Sequence, residues 1–310
     1  MEIQTEKQTK EVLQLVEKGE LLRAQQLIDN LLDQYIECKE LIYTNRCCIF
    51  LADSIHRINE IKDKYEQSEY ILQEWKSLQS FITQEKIEYE PALLSVQHGF
   101  FFNALQKLKI LSDEKDLLQR AENFRKIGIC YKKLGNFEEA RVYLSEANNI
   151  SPNVAAVLAE LADCYSLCGE DKFGKVLFRE AFFLNPESID LDFLDSQLIK
   201  CLIDITKQKG YSGRVLNLWI PVYGVLHGVF NIRRQLNSQE VIKLKKEIYA
   251  LENENKDPSC NEQLLIPQLL NKYFWLIDYY VQTHENATKI NDILLKIRLL
   301  DNSVYENYIK

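Results

Sequence analysis

The chain has 310 residues with 46% hydrophobic content, enough to build a sizeable core, so disorder of the whole is excluded. Only 10 Gly and 6 Pro punctuate it, which favours long helices over a sheet fold that would need many turns. A formal charge of -8 argues against nucleic acid as a partner, because phosphate binding needs clustered Lys and Arg, and "FNIRRQLN" is the nearest approach to such a cluster.

The first stretch, "MEIQTEKQTKEVLQLVEKGE", is acidic where a secretion signal needs basic residues, and no apolar run follows, so a cytoplasmic location is expected. Val12, Leu15 and Val16 make one apolar stripe, Gly19 a turn, and Ala24, Ile28 and Leu31 a facing stripe, which predicts a helical hairpin over 5–38. Residues 39–63, 66–88 and 91–111 read as longer helices, the last opening at Pro91, a favoured first-turn residue. The aromatic runs "GFFFNAL" and, later, "KYFWLIDYY" are the rings expected to fill space between offset helices.

The next segment carries an internal repeat. Stepping 34 residues pairs Phe124 with Leu158, Ile127 with Leu161, Gly128 with Ala162, Tyr131 with Tyr165 and Gly135 with Gly169. The same step pairs Ala140 with Gly174, Leu144 with Phe178, Ala147 with Ala181 and Pro152 with Pro186. Phe124, Ile127 and Tyr131 form one helical stripe, and Gly128 and Ala162 are small where a neighbouring helix comes close. Gly135 and Gly169 end the first helix in the left-handed conformation that glycine adopts without steric cost. Ala140, Leu144 and Ala147 make the facing stripe, and Pro152 stops it. Gly174 in place of alanine is expected to weaken its helix by about 1 kcal/mol.

Beyond Pro186, Leu191, Leu194, Leu198 and Leu202 fall at helical spacing and end at Gly210, predicting one more helix. The apolar stretch 215–230 contains Pro221 and His227 and is too short for a membrane span. Its Gly224 and Gly228, four apart, are expected to let helices approach closely. Asn237 stands three residues before Glu240 as a capping pair, and Val241, Leu244, Ile248 and Leu251 mark a packed helix. Residues 254–263, polar and broken by Pro258, form the strongest loop signal. Residues 266–301 read either as a further repeat without its glycines or as a capping hairpin.

The order of residues in 121–154 and 155–188 resembles the tetratricopeptide repeat, and 5–38 resembles a degenerate copy. The resemblance implies an all-α fold, a right-handed superhelical solenoid of antiparallel helix pairs. It divides the chain into 1–120, 121–188 and 189–310. It also implies a concave groove lined by the first helix of each pair: Glu122, Arg125, Ile129, Lys132 and Lys133 from one repeat, and Ala156, Ala159, Asp163, Ser166 and Leu167 from the next. Arg125 fits one position of the family's carboxylate clamp, but Ile129 and Glu160 replace its asparagines, so an extended peptide or a partner helix suits the groove better.

No catalytic set or cofactor motif is found. GxxxxGK[ST], GxGxxG and HExxH do not occur, and His56, His98, His227 and His284 are dispersed. Eight cysteines at irregular spacing read as free thiols, and Cys130 and Cys164, which share a repeat position, as small buried residues rather than metal ligands. The expected function is a non-catalytic adaptor or scaffold that binds another protein, with neither a metal nor a membrane span. The alternatives are a sensor holding a small apolar ligand in the C-terminal helices, especially 215–236, and a homodimer formed through an exposed terminal helix.

Overall fold

The computed structural model describes residues 2–84, 89–111, 113–232 and 234–310. Among these the regular structure is helical throughout, fifteen α-helices and two single-turn 3-10 segments, with no strand. The chain forms two compact units, Met1–Ser151 and Pro152–Lys310, so the division falls between the two well-matched repeats.

In the first unit α1 (Glu2–Glu17) and α2 (Leu21–Gln34) make the expected hairpin. Three long helices follow, α3 (Lys39–Glu60), α4 (Lys64–Gln84) and α5 (Glu90–Lys109), and the predicted end of the second, 85–88, lies outside the described residues. Asp63 opens α4 by accepting from the N–H groups of Tyr65 and Glu66 at 2.9 and 2.8 Å. Trp75 of α4 packs on Phe100 and Phe101 of α5 at 5.4 and 4.7 Å between ring centroids, so two rings of "GFFFNAL" are core, while Phe102 faces outward. Helix α1 crosses α5 closely: a Cβ added to Gly99 would sit 2.3 Å from the Val16 carbonyl oxygen. Two more helices, α6 (Leu117–Lys133) and α7 (Phe137–Ile150), complete the unit as a second hairpin.

The second unit opens with a hairpin of the same design, α8 (Ala155–Leu167) and α9 (Asp171–Leu184). Its further helices are α10 (Gln197–Gln208), α11 (Gly213–Leu226), α12 (Ser238–Glu254), α13 (Glu262–Gln282), α14 (Ala287–Leu300) and α15 (Asn302–Tyr308). One apolar cluster joins α8 to α11 through Phe178, Phe182, Ile199 and Ile220, and a second joins α11 to α15 around Trp219, Leu270, Phe274 and Ile297.

The hairpin turns share one geometry. Gly135 has φ 80°, the Asn136 N–H donates to the Tyr131 carbonyl at 2.9 Å, and the Gly135 N–H donates to the Lys132 carbonyl at 3.0 Å. Thirty-four residues on, Gly169 has φ 82°, with Glu170 bonded to Tyr165 at 2.9 Å and Gly169 to Ser166 at 3.0 Å. Gly19 repeats the pattern between α1 and α2, with φ 73° and bonds to Leu15 and Val16. Each satisfies the last carbonyls of a helix with a left-handed residue.

The C-terminal pair, α13 and α14, has this turn without its glycine. His284 takes φ 52° and Glu285 donates to the Tyr280 carbonyl at 2.9 Å. A side chain in this conformation is strained by about 1 kcal/mol or more, so His284→Gly is expected to raise stability by about 1 kcal/mol. Urea denaturation checks it: the midpoint rises and the slope stays unchanged.

Three local expectations are corrected. The helix predicted from Leu191 begins at Gln197, because Leu191–Phe193 is a 3-10 turn and the Asp195 and Ser196 N–H groups are held by another side chain. Gly228 is a helix terminator with φ 68° rather than a packing residue, whereas Gly224 does give room to its neighbour: a Cβ there would lie 2.3 Å from the Phe230 ring. Pro221, which from the sequence either starts or kinks a helix, lies buried inside α11 and does not start it. The Asn237 and Glu240 capping box forms as expected, at 2.9 and 2.8 Å.

Candidate partner-binding surface

The ten residues expected in a groove lie on α6 of the first unit and α8 of the second. On α6, the Arg125 guanidinium grips the Glu122 carboxylate with two bonds, 2.8 Å from Nε and 2.6 Å from a terminal nitrogen. Burial works to raise the Glu122 pKa, but the hydrogen bonds and charge of Arg125 outweigh it and hold the carboxyl below its ordinary range. Both side chains keep some surface, 33% for Glu122 and 12% for Arg125.

The remainder of that face is closed. Ile129 is wholly buried, and Lys132 and Lys133 keep only 2% and 8% of their surface. The expectation that these two lysines meet a partner is therefore corrected: they are part of the folded interior. The Lys133 carbonyl accepts from the Gln97 side chain of α5 at 2.9 Å, so the C-terminus of α6 is anchored as well. Lys126, which the sequence did not single out, is equally buried; its ammonium reaches Glu69 at 2.5 Å and the Ser68 hydroxyl at 3.2 Å, tying α6 to α4.

On α8, Ala159 and Asp163 are buried, and Ala156, Ser166 and Leu167 are half-buried. The Asp163 carboxylate accepts from the backbone N–H groups of Asp195 and Ser196, both at 2.8 Å. It anchors the two residues that lead into α10, from another helix, rather than lining a groove. The Ser166 hydroxyl is buried with no hydrogen-bond partner among the described residues, and it explains Gly174. A Cβ on Gly174 would stand 2.1 Å from Ser166 Oγ and 3.0 Å from the Ala162 carbonyl oxygen.

The helix-propensity argument for alanine at 174 thus loses to packing. Gly174→Ala is expected to destabilise by about 1–2 kcal/mol, and adding Ser166→Ala to recover most of that by removing both the clash and the unbonded hydroxyl. Thermal denaturation of the two single variants and the double variant, read as a cycle, tests this coupling.

The sequence also missed where α6 begins. The helix starts at Leu117, four residues before the repeat boundary, because Asp116 caps it by accepting from the Gln119 N–H at 2.9 Å. Leu118, 71% exposed, then falls four residues before Glu122 and seven before Arg125, on the same face. The accessible surface at the N-terminal end of α6 therefore includes two exposed leucines, Leu117 at 56% and Leu118 at 71%, with Leu118 beside the half-buried ion pair.

Chemistry is sparse elsewhere. Cys130 and Cys164, equivalent in the repeat, are both wholly buried, and burial pushes the Cys130 thiol well above its ordinary range. Burial, helped by Cys47, pushes Cys48 up to about 12. Among the described residues no group of three or more His, Cys, Asp or Glu is placed to hold a metal ion, and no helix is long and apolar enough to cross a membrane. No protein-family model matches the chain, and comparison with curated proteins and with solved structures finds no match.

Proposed function

We propose that the chain is a tetratricopeptide-like helical-repeat adaptor that binds a segment of another protein and carries out no reaction of its own. The observation that supports it is the turn repeated at a 34-residue interval, Gly135 and Gly169 with matching φ values and matching pairs of backbone hydrogen bonds. Helical hairpins of one design commonly present the first helix of each pair to partners.

The contact surface in this reading is the open part of α6. Leu118 supplies the apolar anchor, and the Glu122 and Arg125 pair supplies polar edges for a partner's backbone or for a charged side chain. On α8, Ala156 and Leu167 offer a second, shallower apolar strip. The surface is modest in charge, which suits a mixed apolar and polar peptide or helix better than an acidic tail.

The test exchanges charges without removing the ion pair. A Leu118→Asp variant and a Glu122→Arg/Arg125→Glu double variant should each cut recovery of the bound partner from native extract at least about tenfold, with helical circular dichroism unchanged. Recovery equal to the unmodified chain in both would remove α6 from the binding surface.

A further inference from the structure

The second unit contains a cavity of about 400 Å³ between the α10–α11 connection and the first turns of α13, of the size that holds small molecules. Its walls are of three kinds. Val215, Trp219 and Ile266 supply apolar surface, and the Tyr211 ring lies parallel to Trp219 at 4.8 Å between centroids. Gln263 and Ser212 add neutral hydrogen-bonding groups. Lys209 and Glu262 bring one charge of each sign, from different elements, and neither side chain is engaged in an ion pair or side-chain hydrogen bond among the described residues.

That lining discriminates among ligand classes. A simple anion is attracted by Lys209 but repelled by Glu262, and a simple cation meets the reverse. A purely apolar molecule can cover Val215, Trp219 and Ile266 but makes no use of the two exposed charges at the rim. A molecule with both charges and an apolar body satisfies every wall at once. The geometry points to a zwitterionic ligand with an apolar side chain, a free apolar amino acid or a dipeptide of such residues, its carboxylate on Lys209, its ammonium on Glu262 and its side chain against Trp219, Val215 and Ile266.

This site is independent of the α6 surface, so either reading can fail alone. The full chain is titrated with L-phenylalanine and with leucyl-phenylalanine, followed by tryptophan fluorescence and by the thermal unfolding midpoint. Controls are N-acetyl-L-phenylalanine, which lacks the ammonium, and L-phenylalaninamide, which lacks the carboxylate. At least one zwitterion is expected to bind saturably and raise the midpoint, and the tighter of the two identifies the length the cavity takes. Each blocked control should bind about tenfold or more weakly, and Lys209→Gln and Glu262→Gln should each weaken the zwitterion by about tenfold. Both positions are exposed, so unfolding of the unliganded variants should match that of the unmodified chain. The proposal is overturned if neither zwitterion binds saturably up to about 10 mM, a concentration that would reveal even very weak sites. It is equally overturned if the blocked controls bind as well as the zwitterions, or if neither charge-removing variant weakens binding.

Discussion

Asp278→Ala is expected to lower the unfolding free energy by about 3–5 kcal/mol, the largest single effect in the second unit. Asp278 on α13 is the carboxylate partner of Arg179 on α9, and the arginine side chain keeps only 4% of its surface. The same guanidinium donates to the Ile232 carbonyl at 2.7 Å and lies over the Trp275 ring at 4.6 Å, with Phe183 packed against that ring at 4.1 Å. Removing the carboxylate leaves a cation in a site where water cannot replace it. Most of the loss is the stranded charge rather than the bond itself, so Arg179→Met/Asp278→Leu should recover much of the stability. Arg214→Ala, which breaks an exposed pair with Glu187, is the control and should leave the unfolding midpoint essentially unchanged. Urea denaturation of the four chains decides the matter. A double variant as unstable as Asp278→Ala would show that the ion pair itself, and not the stranded charge, carries the effect.

Asp163→Ala should cost about 3 kcal/mol, the next largest effect. Its buried carboxylate holds two backbone N–H groups at the start of α10, each a charge-assisted bond worth about 1.5–3 kcal/mol. Without the aspartate these two N–H groups lose their carboxylate partner at the point where the chain enters α10. Asp163→Asn keeps an acceptor oxygen but loses the charge, and is expected to fall between the two. Calorimetry orders the three chains, and amide exchange at the first turn of α10 should accelerate in the alanine variant before exchange elsewhere. An alanine variant within about 0.5 kcal/mol of the original, about the noise between surface substitutions, would leave Asp163 without the anchoring role.

Asp163 also shows where sequence reasoning stops. The turns at Gly19, Gly135 and Gly169 were legible because a left-handed backbone position leaves a local mark, a glycine, that no distant residue alters. The stripes of Ala140, Leu144 and Ala147, all wholly buried, were legible from their spacing. Asp163, Lys126, Lys132 and Lys133 were not. A charged residue on a helix reads as solvated surface until some other segment covers it, and the groups that meet Asp163 lie 32 and 33 residues away in the chain. From the sequence Asp163 therefore reads as a groove residue and Lys132 and Lys133 as partner contacts, while Lys126 draws no notice. His284 is the complementary case: without a glycine nothing marks where the turn falls within 266–301, yet its hydrogen bonds are those of the other hairpins. Leu118 lies outside the 34-residue repeat, and only the Asp116 cap places it on the helix.

The short turns have a kinetic consequence. Only three residues, 134–136 and 168–170, separate the helices of the two matched pairs, so each pair assembles by local encounter at small cost in loop entropy. The Arg179 and Asp278 pair spans 99 residues and must wait for α9 and α13 to come together. Folding of the second unit is therefore expected to proceed from hairpin to long-range closure. Contacts made late in such an order govern the rate of escape from the native state: loss of Asp278 should speed unfolding far more than it slows folding, and damage to the hairpin turn at Gly169 should do the reverse.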